Sequence, residues 1–189
     1  KERHWNLAGL VRTGSYPAEQ RKLLIDLKYA GRQRNVGPLA ARIADALRSE
    51  PWISEVEALV PVPMHWFRRL QRPCNHAYEL GRAVGRAAGI PLLNACRRVR
   101  YNPSQTTAKS RSERLKNVTK CFGMRWRANV RGMTICIVDN LLVTGATVCE
   151  VSKVLRKAGA KKIYAAVAAR TVSAGDFQAA DEAVAAVGD

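Results

Sequence analysis

The sequence predicts an α/β fold: a central, mostly parallel sheet flanked by helices, with a helical amino-terminal portion. Three observations carry this. The runs "MTICIV", "ATVCEVSKVLRKAG" and "KKIYAAVAA" follow one another as strand, helix and strand, and the connection is long enough for the right-handed crossover that parallel strands require. The earlier run "EALVPVP" is also followed by a loop and a helical pattern. A length of 189 residues suits one α/β domain with at most a small appendage.

The elements read in order as follows. In "PAEQRKLLIDLKYAG", Leu23, Leu27 and Ala30 share one helical face, with Pro17 near the start and Gly31 just past the end. In "GPLAARIADALRSE", Leu39, Ile43 and Leu47 recur every four residues before Pro51 stops the pattern. The first fifty residues therefore read as mainly helical. "EALVPVP" reads as a short buried strand, and "MHWFRRLQRPC" as the loop it delivers into. "NHAYELGRAVGRAAG" places Ala77, Leu80, Val84 and Ala87 inward, with Gly89 and Pro91 marking the end. "YNPSQTTAKSRSERLKN" has little apolar content and reads as a long exposed loop, with one helical turn at the Ser110–Glu113 capping spacing. "MTICIV" is a strand ending at Val138, and the next helix turns Val148, Val151, Leu155 and Ala158 inward before Gly159. The predicted organisation is a helical portion over 1–54, a core over 55–172 and an acidic Ala-rich tail over 173–189.

Composition narrows the function classes. The hydrophobic fraction of 47% and charged fraction of 25% are those of a globular chain. No apolar run approaches the length of a membrane span, and the amino end "KERHWNLAGLVRTG" lacks the apolar core of a secretory signal, so a cytoplasmic location without membrane insertion is expected. The cysteines Cys74, Cys96, Cys121, Cys136 and Cys149 form no C-x-x-C pair, and plain thiols are expected at most of them. The net charge is +17 and unevenly placed: from Arg97 to Arg131, eleven Lys or Arg residues accompany one acid, Glu113. Such a segment attracts nucleotides, pyrophosphate and sugar phosphates, and makes single- or double-stranded DNA a candidate partner. A merely solvated basic surface is the competing reading.

The stretch "ICIVDNLLVTGATVCEV", residues 135–151, carries the chemistry. Asp139 and Asn140 follow the strand, where open α/β sheets place ligands. Unsatisfied N–H groups at the start of the next helix point to the same place, backed by the helix dipole. Gly145 lets the backbone approach a phosphate, Thr144 and Thr147 add hydroxyl donors, and the acid accepts from sugar hydroxyls. Together these describe a ribose 5-phosphate pocket. Helix capping by Asp and Thr, with Gly turning the chain, is the competing reading. No Walker-type or G-x-G-x-x-G phosphate loop is present.

This stretch resembles the phosphoribosyl pyrophosphate motif of type I phosphoribosyltransferases: an apolar strand, two acids, two variable residues and a Thr-Thr-Gly-Ala-Thr turn. More narrowly, "LIDLKYAG", "LVPVPMHWFRRLQRPCNHAYEL" and "RRVRYNPSQTTAKSRSERLKNV" resemble, in that order, segments of the competence-associated ComF family. The resemblance runs roughly over residues 16–171. It implies the type I phosphoribosyltransferase fold, with phosphoribosyl pyrophosphate or a related sugar phosphate as ligand and Mg²⁺ as cofactor. Asp139 and Asn140 take the catalytic positions at the ribose, with Asp139 an indirect metal contact. Val143, Thr144, Gly145, Ala146 and Thr147 wrap the 5-phosphate, and Arg68, Arg69 and Arg72 lie by the pyrophosphate. Gln105, Thr106, Arg114 and Asn117 belong to a closing lid. Lys28 and Tyr29 match a family pair, or only cover the core with stem and ring. His65 and His76 have no acid partner visible in sequence and read as surface or packing residues.

Several positions depart from the family pattern. Asn140 replaces the second acid, Val143 the first threonine, and Arg72-Pro73-Cys74-Asn75-His76 stands in place of Arg-Gly-Phe-Asn-Gln. The cysteine-rich zinc element often found before such domains is absent from the sequence given. Two functions remain. One is transfer of phosphoribosyl from its pyrophosphate to a nitrogenous base in a DNA-uptake or nucleotide-related role. The other is a non-catalytic accessory protein of competence that binds a phosphoribosyl ligand or nucleic acid through a degenerate site. The acceptor base and oligomeric state are not legible.

Overall fold

A computed structural model of the protein describes residues 7–13, 36–64, 75–100, 118–142 and 144–170. Within them the order is β1 (Gly9–Arg12), α1 (Val36–Arg48), a 3-10 turn (Ile53–Glu55), β2 (Ala58–Pro61), α2 (His76–Ala88), β3 (Cys96–Arg98), β4 (Phe122–Met124), β5 (Thr134–Leu142), α3 (Ala146–Lys157) and β6 (Lys162–Arg170). The four-stranded sheet runs β1-β6-β5-β2 and all its pairings are parallel. Beyond β2, a parallel bridge joins Leu59 to Leu92. The strands β3 and β4 form a separate antiparallel ribbon.

The two-residue period of the strands divides the core into two layers. Leu59, Cys136, Val138, Tyr164 and Ala166 face α1 and α2, where Leu39, Ile43, Leu47, Leu80 and Val84 meet them. Ala58, Val60, Ile135, Ile137, Ile163 and Ala165 face the other way, toward Val148, Val151 and Leu155 of α3 and Phe122 of the ribbon. Both faces of the central strands are covered, so these strands are apolar without alternation.

The α1 prediction holds, with Leu39, Ile43 and Leu47 all fully buried. In α2, Ala77, Leu80 and Val84 are buried, but Ala87 is exposed, and Gly81 and Gly85 lie inward instead. Close approach explains this. A Cβ on Gly85 would sit 2.6 Å from the Ile90 carbonyl oxygen, and one on Gly81 would sit 2.9 Å from Leu92 Cδ1. In α3, Ala158 is half-buried while the other three predicted positions are buried.

Strand β1 is absent from the helical reading of the first fifty residues. Its four residues pair with Tyr164–Val167 across the chain, and Gly9 lies beneath the stacked rings of Trp52 and Tyr164, whose centroids are 4.0 Å apart. The helix expected around Leu23, Leu27 and Ala30, the Lys28–Tyr29 pair, His65, Cys74 and the tail over 173–189 lie outside the described residues. His76 is buried at the start of α2, as a packing residue. Cys96, Cys121, Cys136 and Cys149 are buried free thiols, and burial pushes the Cys96 thiol up to about 12. Among the described residues no helix is long and apolar enough to cross a membrane.

Candidate phosphate and sugar site

Parallel pairing brings the carboxyl ends of all four strands to one edge of the sheet. There the two central strands part company. Strand β2 leads on toward α2 on one face, and β5 leads into α3 on the other. A crevice at such a reversal is where open α/β sheets hold their ligands.

The sequence puts the end of β5 at Val138, and here the structure corrects it: the strand continues to Leu142. The reason is one-sided pairing. Strand β2 stops at Pro61, opposite Val138, and its last contribution is the Val62 N–H donated to the Val138 carbonyl at 3.0 Å. Pro63 has no N–H with which to extend that ladder. Strand β6 continues, matching Asp139 with Val167, Leu141 with Ala169 and Leu142 with Arg170. Asp139 and Asn140 therefore lie within a strand that is laddered on the β6 side and past the end of β2 on the other.

Asp139 is 8% exposed, and its Oδ1 accepts the backbone N–H of Asn140 at 2.8 Å. Strand alternation places its side chain on the α3 face, with Ile135 and Ile137. Asn140 is half-buried.

The turn into α3 follows. Gly145 is the N-cap in the left-handed region, φ 76°, which glycine adopts without the Cβ clash that other residues meet. The Thr144 hydroxyl accepts the Ala146 N–H at 3.3 Å, and the Gly145 carbonyl accepts the Cys149 N–H at 2.8 Å as the first helical bond. The Thr144 hydroxyl thus takes up one N–H at the start of the helix, just ahead of the Gly145 N-cap, while other first-turn N–H groups have no acceptor inside the helix. The helix is anchored behind by Val148, Val151 and Leu155.

Of the expected site residues, Asp139, Asn140, Thr144, Gly145, Ala146 and Thr147 come together here. Val143, the arginines Arg68, Arg69 and Arg72, and the lid residues Gln105, Thr106, Arg114 and Asn117 lie outside the described residues. The root of the lid segment is nevertheless in view, and sequence reading missed it. The Val99 N–H donates to the Cys121 carbonyl at 2.8 Å, and Arg98 pairs with Phe122 on the β3–β4 ribbon. That ribbon packs on α3, so residues 100–120 begin and end on the same side of the sheet as Asp139. Three-residue strands so far apart in sequence carry no local signal.

A family model described as the phosphoribosyl transferase domain matches residues 74–183. Competence protein F of Haemophilus influenzae is 36% identical over 110 residues, covering 57% of this chain and 47% of that protein. Amidophosphoribosyltransferase of Escherichia coli is 27% identical over 115 residues, covering 61% of this chain and 20% of that protein. The chain thus spans less than half the length of these relatives. A purine phosphoribosyltransferase from Pyrococcus horikoshii Ot3 superposes with a TM-score of 0.46 at 17% identity, over 75% of this chain and 77% of that one.

Proposed function

The chain belongs to the phosphoribosyl transferase domain family, and from that membership we propose that it binds phosphoribosyl pyrophosphate with Mg²⁺ at the β5–α3 turn and transfers the phosphoribosyl group to a nitrogenous base. Its similarity to competence protein F bears out the resemblance to the ComF family. The observation that carries the proposal is the left-handed Gly145 turn, which starts a twelve-residue helix directly after the strand that holds Asp139 near its carboxyl end.

In this reading the N–H groups and hydroxyls of Val143–Thr147 hold the 5-phosphate, and Asp139 and Asn140 accept and orient the ribose hydroxyls. A ring nitrogen of the base attacks the anomeric carbon, and the bond to pyrophosphate breaks with both electrons leaving on oxygen. Arg68, Arg69 and Arg72 stabilise that growing charge, and the lid with Gln105, Thr106, Arg114 and Asn117 excludes water. Asp139 is a hard oxygen donor that suits Mg²⁺. No three His, Cys, Asp or Glu side chains gather among the described residues, so the ion would take its oxygens chiefly from pyrophosphate and water. Bound there, Mg²⁺ neutralises charge on the leaving group.

Asn140 favours a second reading. An amide at the ribose keeps hydrogen bonds but removes one negative charge beside the ion, which suits an accessory protein of competence that binds without turnover. Pyrophosphate release from phosphoribosyl pyrophosphate and Mg²⁺, measured with each common nucleobase, separates the two. Base-dependent release supports the transferase, and binding without release supports the accessory role. Neither binding nor release overturns both.

A further inference from the structure

Strand β1 ends beside the crevice, on the side away from β2. Arg12 pairs with Val167 of β6, and Val167 pairs in turn with Asp139 of β5, so the three residues form one row across the sheet. Alternation along β1 sets their face: Val11 packs with α1 and α2, whereas Leu10 packs on the α3 side. Arg12 therefore shares the α3 face with Asp139. Two strand spacings, about 10 Å, separate their backbones.

Arg12 is exposed, and among the described residues it has no acidic partner. Its backbone is nevertheless held in place. The Thr13 hydroxyl donates to the Ala168 carbonyl at 2.5 Å, which prolongs the attachment of β1 to β6 past the last paired residue. Strand β6 itself is fixed, with residues 165–169 fully buried.

The meaning of this row rests on the phosphoribosyl reading given above. Pyrophosphate then departs on the β2 side, where the chain runs on from Pro61 toward Arg68, Arg69 and Arg72. Direct displacement brings the attacking ring nitrogen to the anomeric carbon from the opposite side, over the ends of β6 and β1. We propose that Arg12 binds a carboxylate on the acceptor, so that the base this chain selects is a carboxylated nitrogen heterocycle. A guanidinium meets a carboxylate through two parallel N–H bonds, a match that an uncharged base does not offer. Arg12 takes no part in the bond-making: the ring nitrogen supplies the electron pair of the new C–N bond, and the C–O pair leaves with pyrophosphate.

Titration calorimetry tests this with two matched pairs, orotate against uracil and nicotinate against nicotinamide. Each is added to the chain saturated with ribose 5-phosphate and Mg²⁺, which lacks the leaving group. The wild type is expected to bind the carboxylated member of at least one pair about ten-fold more tightly, Arg12→Gln to lose that preference, and Arg12→Lys to keep part of it. Equal or absent binding within both pairs overturns the proposal, as does a preference that survives Arg12→Gln. A loss of ribose 5-phosphate affinity in Arg12→Gln also overturns it, because the arginine would then serve the sugar phosphate. Pyrophosphate release is followed separately: its absence with every base removes the transferase reading, while the comparison within pairs still decides for or against Arg12.

Discussion

The Asp139 carboxylate accepts the backbone N–H of the next residue, Asn140, at 2.8 Å. This bond fixes the acid against its own strand, at the point where β5 has outrun β2. Asp139→Asn keeps an acceptor oxygen and removes the charge. It is expected to weaken binding of phosphoribosyl pyrophosphate with Mg²⁺ about ten-fold, as loss of hydrogen bonds to a charged group does. The urea midpoint should move little. Equilibrium dialysis beside urea unfolding checks both halves.

Gly145 stands at φ 76°. Gly145→Ala should cost about 1–2 kcal/mol for holding an L residue in the left-handed region. It should lower phosphate affinity further, because a Cβ stands where the backbone must approach the ligand. Urea unfolding measures the first effect and displacement of the bound ligand by inorganic phosphate the second.

Gly85 accepts the Ile90 N–H at 3.0 Å while its own Cα lies against the same residue's carbonyl. Gly85→Ala must push the end of α2 off the Ile90 carbonyl, at a cost of about 1–3 kcal/mol for overpacking. A fall in urea midpoint with an unchanged slope is the expected signature.

Stability should decline in alkali through buried thiols. Cys96 is pushed from an ordinary 9.0 up to about 12 by burial, and Cys136 is pushed up by the same cause. The sign follows from proton binding: above about pH 9 the unfolded thiol loses its proton while the folded one keeps it. The contribution is complete below pH 9 and is lost as pH rises toward the folded value, by about 1.4 kcal/mol per pH unit for each thiol. Urea unfolding of the wild type, Cys96→Ala and Cys136→Ala at neutral pH and near about pH 10 checks it, with each variant expected to flatten the decline.

The three described helices are legible in the sequence because their apolar spacing is local: Leu39, Ile43 and Leu47 announce α1 without help from the rest of the chain. The inward face of α2 was misread at Ala87 because the packing there depends on Gly81 and Gly85, whose missing side chains carry no hydrophobic signal. Strand β1 was invisible because "GLVR" is too short for a period, and only β6, some 155 residues later in the chain, makes it a strand. The same partner carries β5 past Val138 to Leu142. At the candidate site, residue types and spacing single out Asp139 and the Thr144–Thr147 turn, which the structure sets at the end of β5 and the start of α3. The one-sided pairing that frames them required the sheet.

Titration calorimetry of phosphoribosyl pyrophosphate with Mg²⁺ into the wild-type chain and Asn140→Asp tests the central claim most directly. Saturable heat at one ligand per chain is predicted for the wild type, with tighter binding after the second carboxylate is restored. Absence of heat with both proteins would contradict the account.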